Sequence, residues 1–127
     1  MLFTGASLLS SFSVVALQKY TPWIAPSSAD TLSRPFKRSA NSIEAGKNIY
    51  TQYCVVCHGD EGKGDGVAAA GLKPKPADHT SERVQRQTDG AFFWKLSTGR
   101  PPMASYEKVF TVPQRWQLVD YIRSLKK

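Results

Sequence analysis

Apolar residues recur at helical spacing in several stretches of the chain, and no stretch alternates apolar with polar as a half-buried strand would. Asn41 followed by Glu44 has the form of a capping box, and Ile43, Ile49, Tyr50 and Tyr53 then line one face of a helix predicted over about 42–54. Gly46 lies inside it, costly for a helix unless another helix approaches closely there. Thr111 and Gln114 repeat the capping pattern, with Pro113 in the first turn, where a missing N–H costs little. Leu118, Tyr121, Ile122 and Leu125 carry that last helix to the C-terminus. A shorter helix is predicted after Thr88 or Asp89, bearing Phe92, Phe93 and Leu96 and stopping at Gly99, with a brief helical turn near 81–86.

The fold class is therefore all-α, three to four short helices joined by long loops. Those loops are rich in breakers: Gly59, Gly62, Gly64, Gly66, Gly71, Pro74 and Pro76 in one, Gly99, Pro101, Pro102 and Pro113 in the other. A chain of 127 residues has one domain's worth of core, and helices this short bury little by themselves. The pattern predicts a large bound cofactor in the middle.

Upstream of residue 42 the pattern changes. Leu2 to Leu17 contains no charged residue but is interrupted by Thr4, Ser7, Ser10, Ser11 and Ser13. As a helix it would reach about 24 Å at 1.5 Å per residue, short of the roughly 30 Å of a bilayer core. Residues 1–20 read as an export signal, with a retained membrane anchor as the alternative. Residues 21–41, with Pro22, Pro26, Pro35 and several serines, read as an extended linker pinned to a surface by Trp23 and Phe36. Residues 42–127 form the domain.

Composition is that of an ordinary globular protein, 41% hydrophobic and 21% charged, which sets aside disordered and fibrous classes. The net charge of +7 favours an acidic partner. Much of it falls after residue 90, where Lys95, Arg100, Lys108, Arg115 and Arg123 are candidates for a basic docking face.

Two cysteines cannot scaffold a domain of this size, so their spacing carries another meaning. Cys54-Val55-Val56-Cys57-His58 is C-x-x-C-H, the attachment signature of haem c. Two thiols three residues apart can add to the two vinyl groups, and the adjacent imidazole then reaches iron. A zinc site would need four ligands, and beyond the cysteines only His58 and His79 remain, with His58 badly placed beside Cys57. A thioredoxin-like centre would need a βαβ context that is missing. For the sixth ligand, Met103 is the only methionine besides Met1, and it follows the stiff Gly99-Arg100-Pro101-Pro102. A thioether there suits low-spin electron-transfer haem. His79 is the competitor, in surroundings (Lys75, Asp78, Thr80) that read as a solvent-facing loop. Gly62 to Gly66 lacks the G-K-[ST] of a phosphate loop and reads as tight turns.

From about Ser42 to the C-terminus the chain resembles a class I cytochrome c domain of the bacterial monohaem kind. The likeness rests on Cys54 to Gly59, Gly62 to Gly66, Lys75-Pro76-Ala77-Asp78, Asp89 to Leu96, Gly99 to Met103 and Trp116 to Arg123. It implies one covalently bound haem c per chain, His58 and Met103 as axial iron ligands, and first and last helices that cross with Gly46 and Tyr50 against the Leu118 to Tyr121 face. It also implies a loop proline carbonyl accepting from the His58 Nδ1–H, Pro76 before Pro74. The expected function is a one-electron carrier and not an enzyme. It would pass electrons between redox protein partners of a respiratory chain or dehydrogenase, in the periplasm or on the outer face of the membrane. A haem enzyme or gas sensor with an open sixth position is the alternative.

Overall fold

The computed structural model describes residues 21–127, so the signal or anchor expected over residues 1–20 lies outside the described residues. Among the described residues five helices follow one another: α1 (Ala40–Tyr53), α2 (Val55–His58), α3 (Glu82–Gln85), α4 (Asp89–Thr98) and α5 (Val112–Ser124). Short 3-10 turns stand at Ser27–Thr31 and Ala69–Gly71. Among the described residues there is no β-strand, only an isolated bridge between Arg100 and Met103.

The capping chemistry of α4 and α5 is as the sequence suggests: Thr88 Oγ1 accepts from the Ala91 N–H, and Thr111 and Gln114 cap reciprocally. For α1 the box lies two residues earlier than Asn41 and Glu44. Ser39 Oγ accepts from the Ser42 N–H, and Ser42 Oγ accepts from the Ser39 N–H. The reason is tertiary, because the Ser42 hydroxyl also lies 2.6 Å from buried Asp120 on α5.

α1 and α5 cross at Gly46. A Cβ there would stand 1.9 Å from the Gln117 carbonyl oxygen, so only glycine lets the backbones meet. Tyr50 of α1 and Trp116, Leu118 and Val119 of α5 are almost wholly buried around this crossing. Burying each such side chain stabilises by roughly 1.5–3 kcal/mol. Phe93 of α4 stacks on Trp116, with centroids 4.4 Å apart, and joins α4 to the same core.

Residues 21–39 are a strap laid antiparallel along α4. Trp23 meets Trp94 at 6.3 Å, Asp30 accepts from the Thr88 hydroxyl, and buried Ala29 passes so close to α4 that a Cβ on Gly90 would stand 1.9 Å from its carbonyl oxygen. Arg34 then bridges Asp89 of α4 and Asp120 of α5, its guanidinium 5.3 Å from the centre of the Trp116 ring. The stretch read as a linker is thus docked along its length.

Candidate functional site

The end of α1 delivers Cys54, and α2 adds Cys57 and His58 one turn later. Three glycines with positive φ, Gly59, Gly62 and Gly64, then fold the following loop back over that turn. Its amides close on it: Gly64 N–H to the His58 carbonyl at 2.8 Å, Gly66 N–H to the Cys57 carbonyl at 3.1 Å. The Gly-rich run therefore encloses the C-x-x-C-H turn, as tight turns would.

His58 Nδ1 lies 3.0 Å from the Ala77 carbonyl oxygen. A carbonyl only accepts, so the proton sits on Nδ1 and the Nε2 lone pair is left for another partner. Burial lowers the His58 pKa, and the Ala77 bond opposes that. The expected acceptor, Pro76, is displaced by one residue. Its carbonyl faces Gly64, where a Cβ would stand 2.5 Å away, so the backbone turns the next carbonyl toward the imidazole. Nothing in the sequence distinguishes Ala77 from Pro76 in this respect, because either can offer only a main-chain oxygen.

His79 is buried, contrary to the expectation of a solvent-facing position. Gly62 O accepts from its N–H at 2.7 Å, Tyr50 Oη lies 3.2 Å from its Nδ1, and Gln85 Nε2 donates to its carbonyl at 2.7 Å. Its ring stacks on His58 with centroids 4.1 Å apart and planes 18° from parallel. Burial and the neighbouring His58 hold its pKa well below the usual imidazole value, so it is neutral. His79 thus packs face to face beside the His58 ring, with its Nδ1 in contact with the Tyr50 hydroxyl.

Met103 is half-buried and packs on the core cluster that contains Cys54. Its loop turns back at once: Arg100 N–H donates to the Met103 carbonyl at 3.1 Å and Met103 N–H to the Arg100 carbonyl at 2.8 Å. Tyr106, three residues on, has its phenol pKa raised by burial and then by the nearby Cys54 and Cys57 thiols. The fold thus brings the cysteine turn and the methionine loop to one region.

Cys54 is buried, and burial with Cys57 beside it pushes its thiol up to about 12. A zinc-bound or redox-reactive thiol needs the opposite shift. Among the described residues no group of three or more His, Cys, Asp or Glu could hold a metal ion. The donor set, two thiols beside an imidazole whose Nε2 is free, fits covalent haem attachment with axial ligation.

The expected basic face is largely used internally. Arg115 is buried, donates to Ser97 and stacks on Phe93; Arg123 donates to Asp89 at 2.6 Å and to the Gln85 carbonyl at 2.6 Å. Lys95 and Arg100 both lie over the Trp23 ring. Lys108 alone of the five is exposed. Arg34, which sequence reasoning passed over in the linker, is the residue that binds the strap to the core.

Residues 41–122 match the family model described as cytochrome C oxidase, cbb3-type, subunit III. A solved structure of the Kuenenia stuttgartiensis reducing HAO-like protein complex Kustc0457/Kustc0458 is similar at TM-score 0.66 and 32% identity, over 73% of this chain and 47% of that one. The chain thus spans about half the length of that neighbour. The structure of the KustC0563 c-type cytochrome is similar at TM-score 0.57 and 25% identity, over 65% of this chain and 98% of that one. No curated protein matches.

Proposed function

The chain belongs to the family of cbb3-type cytochrome c domains and is a class I c-type cytochrome serving haem-based electron transfer; from that premise we propose a one-electron carrier with His58 and Met103 as axial ligands. The haem c, held through Cys54 and Cys57, supplies the ferric–ferrous couple. The observation that carries this reading is the Nδ1 contact of His58 with Ala77 O, which presents Nε2 outward and fixes the ring plane. His79, stacked against that ring and hydrogen-bonded through Tyr50, limits its rotation.

Met103 would supply the second axial ligand in this reading, which is supported by the backbone bridge from Arg100 that turns its loop back and by its packing against the core cluster that includes Cys54. Methionine opposite histidine raises the potential relative to a second imidazole. With both positions filled the chain's own residues make no bond to substrate, and the protein acts as a carrier and not as an enzyme. Cys54 and the aromatic residues Tyr106 and Phe110 keep that region apolar, which also favours the less charged ferrous state.

Its partners in this reading are redox proteins, a donor and an acceptor, one or both in a multi-subunit assembly like that named for the Kuenenia neighbour. Docking onto acidic patches would fall to exposed Lys108 and other free lysines, since Lys95, Arg100, Arg115 and Arg123 serve inside the fold. The reading places the chain outside the cytoplasm, in the periplasm or tethered to the membrane's outer face. Among the described residues no helix is long and apolar enough to cross a membrane.

Absorption spectra of the ferric and ferrous protein, with carbon monoxide added to the latter, test the ligand set. We expect a low-spin spectrum with the ferric methionine-to-iron charge-transfer band and no response to carbon monoxide, and in Met103→Ala loss of the band and prompt carbon monoxide binding. A wild-type protein that binds carbon monoxide at once has an accessible sixth position, and the reading passes to a haem enzyme or gas sensor.

A further inference from the structure

Residues 21–23 of the strap lie against the loop that carries Met103, and we propose that the strap braces that loop, with Trp23 and Arg100 as positioning residues for the Met103 thioether. The inference rests on the Met103 ligation proposed above. Its basis is a continuous series of contacts from the helical core to the methionine. The strap is fixed at its far end by the Arg34 pairs with Asp89 and Asp120 and by the close seat of Ala29 on Gly90. At its near end Trp23 lies against Trp94 and under the Lys95 ammonium, 5.4 Å from the ring centre.

Arg100 joins this end to the loop. Its Nη1 donates to the Thr21 carbonyl at 3.1 Å, and its guanidinium lies 5.1 Å from the centre of the Trp23 ring. Through its backbone the same residue makes both hydrogen bonds of the bridge to Met103. Where Arg100 sits therefore decides where Met103 sits. The other side of Met103 is held separately, by Ser105 Oγ on the Ser97 carbonyl at 2.5 Å and the Tyr106 N–H on the Leu96 carbonyl at 2.9 Å. On the Arg100 side Pro101 and Pro102 are exposed, so between Arg100 and the half-buried Met103 no side chain anchors the loop in the core.

A thioether bond to ferric iron competes with added ligands, and an added ligand binds only when the loop has opened. Its apparent affinity is the intrinsic affinity scaled by the open fraction. Releasing the brace raises that fraction and leaves the ligand set unchanged.

The test uses the haem-loaded full chain and imidazole as the probe, titrated into the ferric protein while the charge-transfer band is followed. Trp23→Ala and Arg100→Gln are each expected to tighten imidazole by about fivefold or more, the lower range of coupling between sites. The double variant should go no further than the stronger single one, because both act through one contact. Trp23→Phe, which keeps a ring face under the guanidinium, should recover most of the wild-type value. If Trp23→Ala does not fold, Arg100→Gln on a half-buried side chain decides the matter alone.

A band present in the wild type and lost in Met103→Ala, with imidazole affinity in Trp23→Ala and Arg100→Gln unchanged from wild type, overturns the brace and leaves the ligation standing. A wild type without the band, spectrally identical to Met103→Ala, overturns the ligation and the brace with it.

Discussion

Two glycines in this molecule do the same thing in different company. A Cβ on Gly46 would stand 1.9 Å from the Gln117 carbonyl oxygen, and a Cβ on Gly90 would stand 1.9 Å from that of Ala29. Gly46 lies where two long helices cross around Tyr50, Trp116, Leu118 and Val119. Gly90 lies under a strap whose one buried residue in that turn is alanine. Identical close approach thus joins regions of unequal burial. Contact distance marks where two segments are built to meet, while the side chains around the contact set how much stability depends on it.

The largest effect should come from Gly46→Ala. Neither helix can move aside without opening the aromatic core, so the clash cannot be relieved locally. Alanine's helix preference returns only about 1 kcal/mol. We expect a net loss of about 3 kcal/mol or more, read as the chemical denaturation midpoint of the haem-loaded protein, or failure to accumulate. A loss below about 1 kcal/mol would mean that the crossing is soft and would remove the contrast with Gly90.

Arg34→Ala comes next and asks whether the strap belongs to the core. Asp120 is wholly buried and keeps only the Ser42 hydroxyl once Arg34 is gone. Leaving a buried carboxylate without its cation costs about 2–4 kcal/mol, below the full penalty because Arg34 is itself partly exposed. Arg34→Lys keeps the charge but not the fork that reaches Asp89 and Asp120 together, and should recover only part of that loss. A free tether would show a change within about 0.5 kcal/mol.

The same two regions show what the sequence displayed and what it hid. The α1–α5 crossing could be read from helical spacing, the Thr111 cap and a glycine whose only purpose in a helix is close contact. The C-x-x-C-H turn was plain for the same reason: its chemistry is local in the chain. The strap was hidden because its contacts are not periodic. Arg34 lies 55 and 86 residues from its two partners, and a serine- and proline-rich stretch carries no mark of where it docks. The α1 cap fell to Ser39 and Ser42 over Asn41 and Glu44 because Asp120, far along the chain, fixes the Ser42 hydroxyl. Ala77 in place of Pro76, and the burial of His79 against His58, follow from how the glycine loop folds back, which composition does not encode.

Gly90→Ala should have the smallest effect and the most informative one. Here the clash has an escape, because the turn around Ala29 can lift from α4 while the helices stay in place. The loss is then capped by what that turn contributes, about 1 kcal/mol for a small buried residue and a few polar contacts. Hydrogen exchange separates the two regions directly. The Ala29 N–H bonds the Pro26 carbonyl at 2.9 Å and the Leu32 N–H bonds the Ala29 carbonyl at 3.2 Å, so both report on the turn. In Gly90→Ala these amides should exchange about five- to tenfold faster, the equivalent of roughly 1–1.4 kcal/mol, while those of Leu118 and Val119 keep their wild-type rates. If the α5 amides accelerate in step, the strap and the helix crossing open as one unit. Gly90 would then be a second Gly46, and the inequality between the two regions would disappear.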